Sequence, residues 1–517
     1  MNYTNRYISV VPEQAPEPAC DLVSFSQWRS NKTGKTVEDE NKKVSPRKEV
    51  GNYLAETFER ICEAAPENVF IHKHIAAVSQ IKKENATFKI QIEDGAFNNI
   101  AFDQVLITTG HKPAIVHRAN SNVDPSYIPF IYPVDDKLKC ISPQNKVICK
   151  GIGLTAIDTI LGLTEGKGGH FIMSKNGNLT YHPSGQEPEK IFPFSRSGVP
   201  IIPRGEYTDH LQQSSFYLKT FVENIDPAEE TLDFELHTLP LIYQDIQASF
   251  YRQLFKNYAY KVATDLPYDE LEKYISKFHK QHPDAPYFIA KDFVMNSLPA
   301  SSDHHQEVKK HWQFWVEENE KPDSPFVAAA CAWRFIAADF NTIYSNNWLS
   351  PKSLLNFQQQ WFGRFNRIAY GPPLVNIRKM LALMDAGIVD FAYARSPEIE
   401  ESDSLKEIKC NGISTTFDHH INATLPRAID KNAKSIFTNS ADLFSFQNKK
   451  DALSELHCTR SGNPINPNGE IEKNITLYGT PTEGQLFDND SLSRKANDTI
   501  SDWAKAIANE LKTLIPA

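Results

Sequence analysis

The 517-residue sequence predicts a mixed α/β fold that carries a large helical insert. Residues 145–174, NKVICKGIGLTAIDTILGLTEGKGGHFIMS, indicate a strand, a glycine-containing turn, a helix and a second strand. From about Asp209 to Asn347 the segments become long, aromatic and helical in period, with few strand signals. Because a chain of this length exceeds the usual size of one hydrophobic core, we expect two or three domains.

Composition narrows the class of protein. A net charge of −9 and a pI near 6.0 do not favour nucleic acid or an anionic membrane surface as partners. The N-terminus has no apolar segment of a secretory signal, and the longest apolar stretch, residues 326–333, is too short to span a bilayer. Seven dispersed cysteines without a CxxC pair indicate reduced thiols. We therefore expect a cytoplasmic protein that binds neither nucleic acid nor a membrane.

The segments ahead of the glycine turn predict one helix and a β-meander. In GNYLAETFERICEAAP, the apolar residues Leu54, Phe58 and Ile61 recur at helical spacing. Three strand-like runs follow, VFIHKHIAAV, FKIQIED and FDQVLITTGH. At the other end of the chain, SDWAKAIANELKTLI predicts an amphipathic helix.

The glycine turn has the spacing of a Rossmann-like nucleotide site. Gly151 would permit the tight bend, Gly153 would let backbone amides approach a diphosphate, and Ala156 would allow close packing of helix and strand. The strand VICK precedes the turn, and the helix AIDTILGL and the strand HFIMS follow it, so we expect a right-handed parallel crossover. The alternative is a glycine-rich loop that only eases packing.

The residue at the end of the next strand bears on the choice of nucleotide. An acidic residue that binds an adenosine ribose is expected there, about 20 residues after the turn. Ser174 and Lys175 occupy that place and offer no carboxylate. A hydroxyl and an ammonium suit a 2′-phosphate, which favours NADPH over NADH; the alternative is that Lys175 is a solvated loop lysine.

Other catalytic patterns are not evident in the sequence. The stretch Gly162–Gly168 does not have the spacing of a P-loop, and no Gly-x-Ser-x-Gly nucleophile motif occurs. The histidine clusters at Asp303–His305 and Phe417–His420 lack the usual spacing of metal ligands, so we predict no metal site.

Seven motifs together resemble a known family: SPRKEVGNYL, VLITTGH, GIGLTAIDTILGLTEGKGG, YHPSGQEP, FSRSGVPIIPR, RIAYGPP and LYGTPTEGQLFD. The chain is similar to the FAD/NAD(P)-binding family that includes flavin-dependent urate hydroxylase, and distantly similar to N-hydroxylating and Baeyer–Villiger monooxygenases. This resemblance implies a Rossmann-like flavoprotein architecture with two dinucleotide-binding domains, and FAD and NAD(P)H as cofactors.

The resemblance also implies roles for individual residues around the flavin, with tight turns or core packing as the alternative role for each. Thr109, Gly110 and His111 would form the turn that passes close to the flavin. Arg47 and Tyr53 would lie near the isoalloxazine. The turn at the pyrimidine edge of the flavin would contain Gly479, Thr480, Glu483 and Gly484.

One expected part of the family pattern is missing from this sequence. The family begins with a strand and a GxGxxG turn for the FAD diphosphate, whereas Met1-Asn2 resembles a later, internal pair and the first glycine is Gly34. We therefore expect the first βαβ unit to be missing. The expected division is 1–110 as the remainder of the FAD-binding domain, 111–205 as the NAD(P)-binding domain, 206–365 as the helical insert and 366–517 as the return to the FAD-binding domain.

These expectations lead to a functional hypothesis with an alternative from another class. The resemblance implies an FAD-dependent, NAD(P)H-using oxidoreductase, a monooxygenase that hydroxylates a small organic substrate. The sequence names no catalytic residue, because in such enzymes the cofactor carries the chemistry. The missing unit favours the alternative, a degenerate non-catalytic NAD(P)-binding or accessory protein that has lost FAD binding; a reductase without oxygen insertion lies between the two.

Overall fold

The computed structural model describes residues 5, 8–11, 21–92, 100–110, 125–175, 177–204, 215–225, 231–263, 265–298, 303–402, 405–425, 429–430, 434–447, 453–487 and 499–514. The helices are Phe25–Thr33 (α1), Val37–Asn41 (α2), Arg47–Glu63 (α3), Val134–Lys137 (α4), Leu154–Leu163 (α5), Tyr217–Asn224 (α6), Leu239–Asn257 (α7), Tyr268–Gln281 (α8), Ala290–Met295 (α9), His304–Glu320 (α10), Pro325–Ser345 (α11), Pro351–Asn356 (α12), Phe362–Ala369 (α13), Leu374–Asp385 (α14), Ile436–Asn439 (α15) and Thr499–Leu514 (α16).

The strands are Val78–Glu84 (β1), Thr87–Ile92 (β2), Ala101–Phe102 (β3), Val105–Ile107 (β4), Tyr127–Ile128 (β5), Lys146–Lys150 (β6), His170–Met173 (β7), Leu179–His182 (β8), Lys190–Phe194 (β9), Glu398–Glu401 (β10), Lys406–Cys410 (β11), Ile413–Thr416 (β12), His419–Asn422 (β13), Ile429–Asp430 (β14), Leu453–Ser454 (β15) and Ile475–Leu477 (β16).

A parallel sheet carries the glycine turn. Its order is β5-β13-β6-β9, and β13 pairs in parallel with both β5 and β6, as β6 does with β9. Val147, Ile148 and Cys149 on β6 are fully buried, as expected of a strand that is covered on both faces. The predicted mixed α/β fold with a parallel sheet is therefore confirmed.

The predicted crossover from β6 through α5 to β7 is wrong. Strand β7 pairs antiparallel with β8 in a separate hairpin, and the parallel neighbour of β6 that follows α5 is β9. The physical reason lies in the two apolar patterns. Ile191 and Phe192 of β9 belong to a continuous apolar run and are buried, whereas Ile172 and Met173 of β7 are about half exposed.

Residues after 366 contribute strands to four of the described sheets, and two of these sheets also contain earlier strands. Strand β13 lies in the parallel sheet beside β6, whereas β16 pairs in parallel with β4. The C-terminal part of the chain therefore returns to the region of the glycine turn before it reaches β4. The exact domain boundaries stay a prediction.

The first long helix is present, whereas the predicted meander is only partly correct, because the run VFIHKHIAAV contains no strand before Val78. Strands β1, β2 and β3 pair antiparallel in that order, although β1 begins only at Val78 and β4 leaves the meander to pair with β16. Helix α3 spans the predicted segment, yet Leu54, Phe58 and Ile61 are 37%, 46% and 37% exposed. Val50 and Tyr53 form the buried side of α3 instead. The helical period was therefore predicted correctly, but the three apolar residues that indicated it lie mostly outside the core.

Helices α6 to α13 form the aromatic helical region, which continues past the predicted insert to Ala369. Helix α11 is central in it: Trp333 is fully buried and stacks on Phe365 with ring centroids 4.1 Å apart. Among the helices of the described ranges, α11 alone is long and apolar enough to cross a membrane, with a mean hydropathy of 1.2. Since 61% of that apolar window is buried inside the fold, core packing accounts for its composition.

Candidate nucleotide-binding site

The bend after β6 requires glycine at its first position. Gly151 has a φ of 129° and donates its backbone N–H to the carbonyl of Phe194 at 2.8 Å. The residue that follows β13 lies directly against it, so that a Cβ on Gly151 would lie 2.6 Å from the carbonyl oxygen of Ala423. Any side chain here would both strain the backbone and collide with this carbonyl.

The second and third positions differ from the first in what surrounds them. Gly153 is the N-cap of α5, with a φ of −110°, and a Cβ there would meet nothing within 4 Å. The first-turn amides of α5 therefore start beside open space, and such amides have no partner within the helix. Ala156, at 1% exposure, packs into the core between helix and sheet. The turn thus has a tight bend, an open side and a packed side in the order that a diphosphate site requires.

A cation lies beside the middle of the same helix. Arg47, the first residue of α3, contacts Asp158 of α5 with Nη1 2.7 Å from Oδ2, and the Tyr132 hydroxyl donates to the same oxygen at 2.6 Å. Burial by itself would lower the pKa of Arg47, but the attraction and hydrogen bonds of Asp158 and Tyr132 together outweigh it and raise the pKa. Burial and the same carboxylate raise the pKa of Tyr132. The helix of the N-terminal region is thereby tied to the helix of the glycine turn.

Sequence reasoning placed Arg47 near a flavin and missed its two partners. A signal for one of them was available, because Asp158 is the only charged residue in the helix LTAIDTILGL. A single carboxylate on an otherwise apolar helix indicates a specific partner. No local pattern marks Tyr132, which follows a loop rather than an element.

Tyr53 is a core residue in this structure. Its side chain is fully buried, and its hydroxyl donates to the Val23 carbonyl at 2.7 Å and accepts from the Val10 N–H at 3.1 Å. Its ring packs against Phe25 and Trp28 at centroid distances of 5.3 and 5.8 Å. These contacts account for Tyr53 structurally, and its predicted contact with a flavin stays a prediction.

Two segments that were predicted separately to lie near a flavin are neighbours. Strands β4 and β16 are parallel, with Val105 opposite Ile475 and Ile107 opposite Leu477. Their carboxyl ends therefore lie side by side and lead into Thr108–Gly110 and Gly479–Gly484 respectively. Ligands of open α/β sheets bind outside the carboxyl ends of strands, so this edge suits the predicted cofactor contact.

The first of these turns is open. Gly110 has a φ of 65°, and a Cβ there would meet nothing within 4 Å. Thr109 is partly exposed beside it, and His111 lies outside the described residues.

The second turn is held by the helical region. Gly479 has a φ of 70° and leads into the single 3-10 turn Thr480–Thr482, while Glu483 follows and is partly exposed. The Tyr344 hydroxyl of α11 donates to the Gly484 carbonyl at 3.2 Å. Gly484 is buried so closely against the carboxylate of Glu455 that a side chain would collide with it.

Glu455 was not found from the sequence. Burial raises its pKa to about 7, although a hydrogen bond with Gln358 lowers it. It is therefore a carboxyl group that changes charge near neutral pH beside the predicted flavin turn.

Lys175 follows β7, a strand that is not hydrogen-bonded to the sheet that carries the glycine turn. It is exposed in the connection between β7 and β8, where the Ser174 N–H donates to the Asn178 carbonyl at 2.8 Å. Because β7 is not part of the parallel sheet, the spacing argument for Lys175 loses its structural basis. The choice of NADPH over NADH stays a prediction.

One histidine of each cluster contacts a carboxylate of the protein. Nδ1 of His305 lies 3.1 Å from Asp390, and Nδ1 of His420 lies 2.6 Å from Glu401. Within the described part of the chain, no group of three or more potential metal ligands is present.

The N-terminal region is similar to a known protein family. Residues 1–112 match the model of a family described as FAD-NAD(P)-binding. This match confirms the FAD/NAD(P)-binding resemblance and the cofactor class that it implied, FAD and NAD(P).

The chain also resembles proteins named for N-oxygenation. Over 390 residues it is 26% identical to nitrosuccinic acid synthase npaA from Aspergillus oryzae, a match that covers 69% of this chain and 58% of that protein. Over 386 residues it is 23% identical to an L-aspartate N-monooxygenase (nitrosuccinate-forming) from Streptomyces davaonensis, covering 66% and 57% respectively. The chain therefore matches less than three fifths of the length of these relatives. The distant similarity to N-hydroxylating monooxygenases is confirmed.

Among solved structures, the L-lysine 6-monooxygenase from Pseudomonas syringae aligns with 94% of this chain and 81% of its own length. The identity is 12% and the TM-score 0.45, and a likeness of this degree says nothing about chemistry.

Proposed function

We propose that this chain is an FAD-dependent, NAD(P)H-using monooxygenase that hydroxylates the amino group of a small amino acid. The observation that carries the proposal is the glycine turn, where the Ala423 carbonyl excludes a side chain at Gly151 while Gly153 faces open space. The names of the relatives favour an amino acid as substrate. Urate-type ring hydroxylation, which the motif resemblance implied, is the second candidate substrate class.

The residues present suit a dinucleotide at the start of α5. Free first-turn amides and the positive end of the helix dipole would hold the diphosphate. Arg47 lies beside this helix, with its guanidinium 2.7 Å from the Asp158 carboxylate, and would add a positive charge to the site. The open turn at Gly110 and the turn from Gly479 to Gly484, at the carboxyl ends of β4 and β16, would receive the flavin.

The protein's part in the reaction is to bind and orient, and to control protons. Bound FAD would supply the redox chemistry between NAD(P)H and dioxygen that side chains cannot supply. The Tyr344 hydroxyl ties the Gly479–Gly484 turn to the helical region, and the Glu455 carboxylate lies directly against Gly484. The Glu455 carboxyl, with its pKa near 7, can hold or release a proton there.

Cofactor uptake and turnover test the proposal directly. The purified protein should show flavin absorption in the visible range, or gain it when FAD is added. It should then oxidise NAD(P)H faster when an amino acid is present, and mass spectrometry should find a product heavier by one oxygen atom. L-aspartate, L-lysine, L-ornithine and urate make a suitable panel, since urate separates the two substrate classes.

The contrary results are equally clear. A colourless protein that does not take up FAD contradicts the proposal. If such a protein still binds NADPH, the non-catalytic NAD(P)-binding alternative is favoured. NAD(P)H oxidation without an oxygenated product from any substrate favours the reductase.

A further inference from the structure

The helical region contains a cavity of about 410 Å³ that the proposed function does not use. It lies between α9, α10, α13 and the start of α11, and its walls include Phe288, Phe293, Phe314, Trp315 and Phe326. This volume lies within the range of small-molecule sites, roughly 300–1,000 Å³. The aromatic walls suit a flat apolar ring.

One part of this cavity is polar, and its donors are not satisfied by the protein. Nε2 of His311 and Nε of Arg367 are both buried and have no hydrogen-bond partner. The two terminal nitrogens of Arg367 are occupied, since Nη1 donates to the Asn296 carbonyl at 2.9 Å and Nη2 to the Val294 carbonyl at 3.0 Å. These bonds fix the guanidinium at the end of α9, and its Nε–H is left for another acceptor. Buried donors without partners are rare in folded proteins and point to an acceptor that belongs there.

The charges at this polar part favour an anion. Burial and the nearby Arg364 lower the pKa of Arg367 to about 10, so Arg367 remains a cation at neutral pH. Burial and the cation of Arg367 lower the pKa of His311 to about 3, so its imidazole is neutral and can carry a proton on Nε2. Asp292 also lines the cavity, but it is exposed to solvent.

We propose that this cavity binds a small aromatic carboxylate, with its ring between the phenylalanines and its carboxylate on Nε of Arg367 and Nε2 of His311. The proposal is independent of the flavin and of the nucleotide. The cavity does adjoin the glycine turn, because Ile202 lines it and the N–H of the preceding Ile201 donates to the Ile152 carbonyl at 3.2 Å. A ligand here would therefore contact the segment that supports the turn.

Calorimetric titration with indole-3-acetate and its neutral amide, indole-3-acetamide, tests the proposal. The two probes share the ring and differ in the charge of the end group. We expect the acid to bind at least tenfold more tightly than the amide. Equal affinities would reduce the site to an apolar cavity and overturn the proposal, as would the absence of binding by the acid.

Two arginine substitutions separate direct contact from helix capping. Arg367→Met should weaken the acid at least tenfold and leave the amide within twofold. Arg364 also donates to a carbonyl near the end of α9, that of Met295 at 3.4 Å, but does not line the cavity. Arg364→Met should therefore leave the acid within twofold, and a loss equal to that of Arg367→Met would overturn the proposal.

A substitution at the half-open wall covers the case in which Arg367→Met does not fold. Phe314 is 38% exposed, so it tolerates a polar residue more readily than the buried phenylalanines. Phe314→Glu adds a negative charge to the lining and should weaken the acid at least fivefold more than the amide. An unchanged ratio of the two affinities would contradict a carboxylate-binding site.

Discussion

Replacing Gly153 with aspartate should strongly weaken nucleotide binding while the fold keeps its stability. The backbone at Gly153, with a φ of −110° and a ψ of −160°, lies in the extended region that any residue adopts, and a Cβ would meet nothing within 4 Å. Aspartate is among the preferred N-cap residues, because its carboxylate accepts hydrogen bonds from first-turn amides. Its charge also interacts favourably with the helix dipole by about 0.3–1 kcal/mol. The thermal unfolding midpoint should therefore stay the same or rise.

The same carboxylate should exclude a diphosphate for two reasons. It occupies the amides that the diphosphate would use, and it repels the phosphate charge. Two like charges about 5 Å apart at an effective dielectric constant of about 20 repel by about 3 kcal/mol. A loss of this size weakens the affinity about a hundredfold.

Calorimetric titration with NADPH measures this loss, and circular dichroism during heating measures stability. Gly153→Asn is the matched control, since asparagine has the same shape and is also a favoured N-cap but carries no charge. Its affinity should fall about tenfold, between the wild type and Gly153→Asp. If Gly153→Asp binds NADPH as tightly as the wild type, the diphosphate does not contact this turn and the proposed placement is wrong.

Three further predictions concern other parts of the site. Gly151→Ala should lower the thermal unfolding midpoint, because positive φ costs about 1–3 kcal/mol and the new Cβ collides with a carbonyl 2.6 Å away. The control Gly412→Ala, at a φ of 80° in open space, should show a smaller decrease. Equal decreases would exclude the collision. Asp158→Asn should change the free energy of unfolding by no more than about 1 kcal/mol, since its ion pair with Arg47 is partly exposed. It should nevertheless alter the affinity for NADPH, measured by calorimetry. An unchanged affinity would show that Arg47 takes no part in nucleotide binding. Glu455→Gln should raise the unfolding midpoint at pH 8 and not at pH 4. The folded pKa of about 7 lies above the ordinary 4.5, so the wild type loses stability as the pH rises from 4.5 to 7. An equal gain at both pH values would refute the raised pKa.

The sequence by itself determined the local features of this protein. The Gly151-x-Gly153 turn, the strand before it and the helix after it follow from local constraints, namely a buried apolar strand, a bend that only glycine allows and an N-cap. Helix α3 and the aromatic helical region also follow from residue spacing along the chain. These features depend on neighbours a few residues apart, so a single sequence contains the information.

The tertiary structure decided which distant segments meet. Strand β9 rather than β7 pairs with β6, because the pairing depends on which apolar run can be covered on both faces. Asp158 meets Arg47 across 111 positions of chain, and Tyr344 supports Gly484 across 140. Tyr53 lies in the core, although the apolar residues Leu54, Phe58 and Ile61 of the same helix remain partly exposed. Such contacts depend on how all segments of the chain compete for burial and for hydrogen-bond partners. The spacing of residues within one segment does not predict which segments meet.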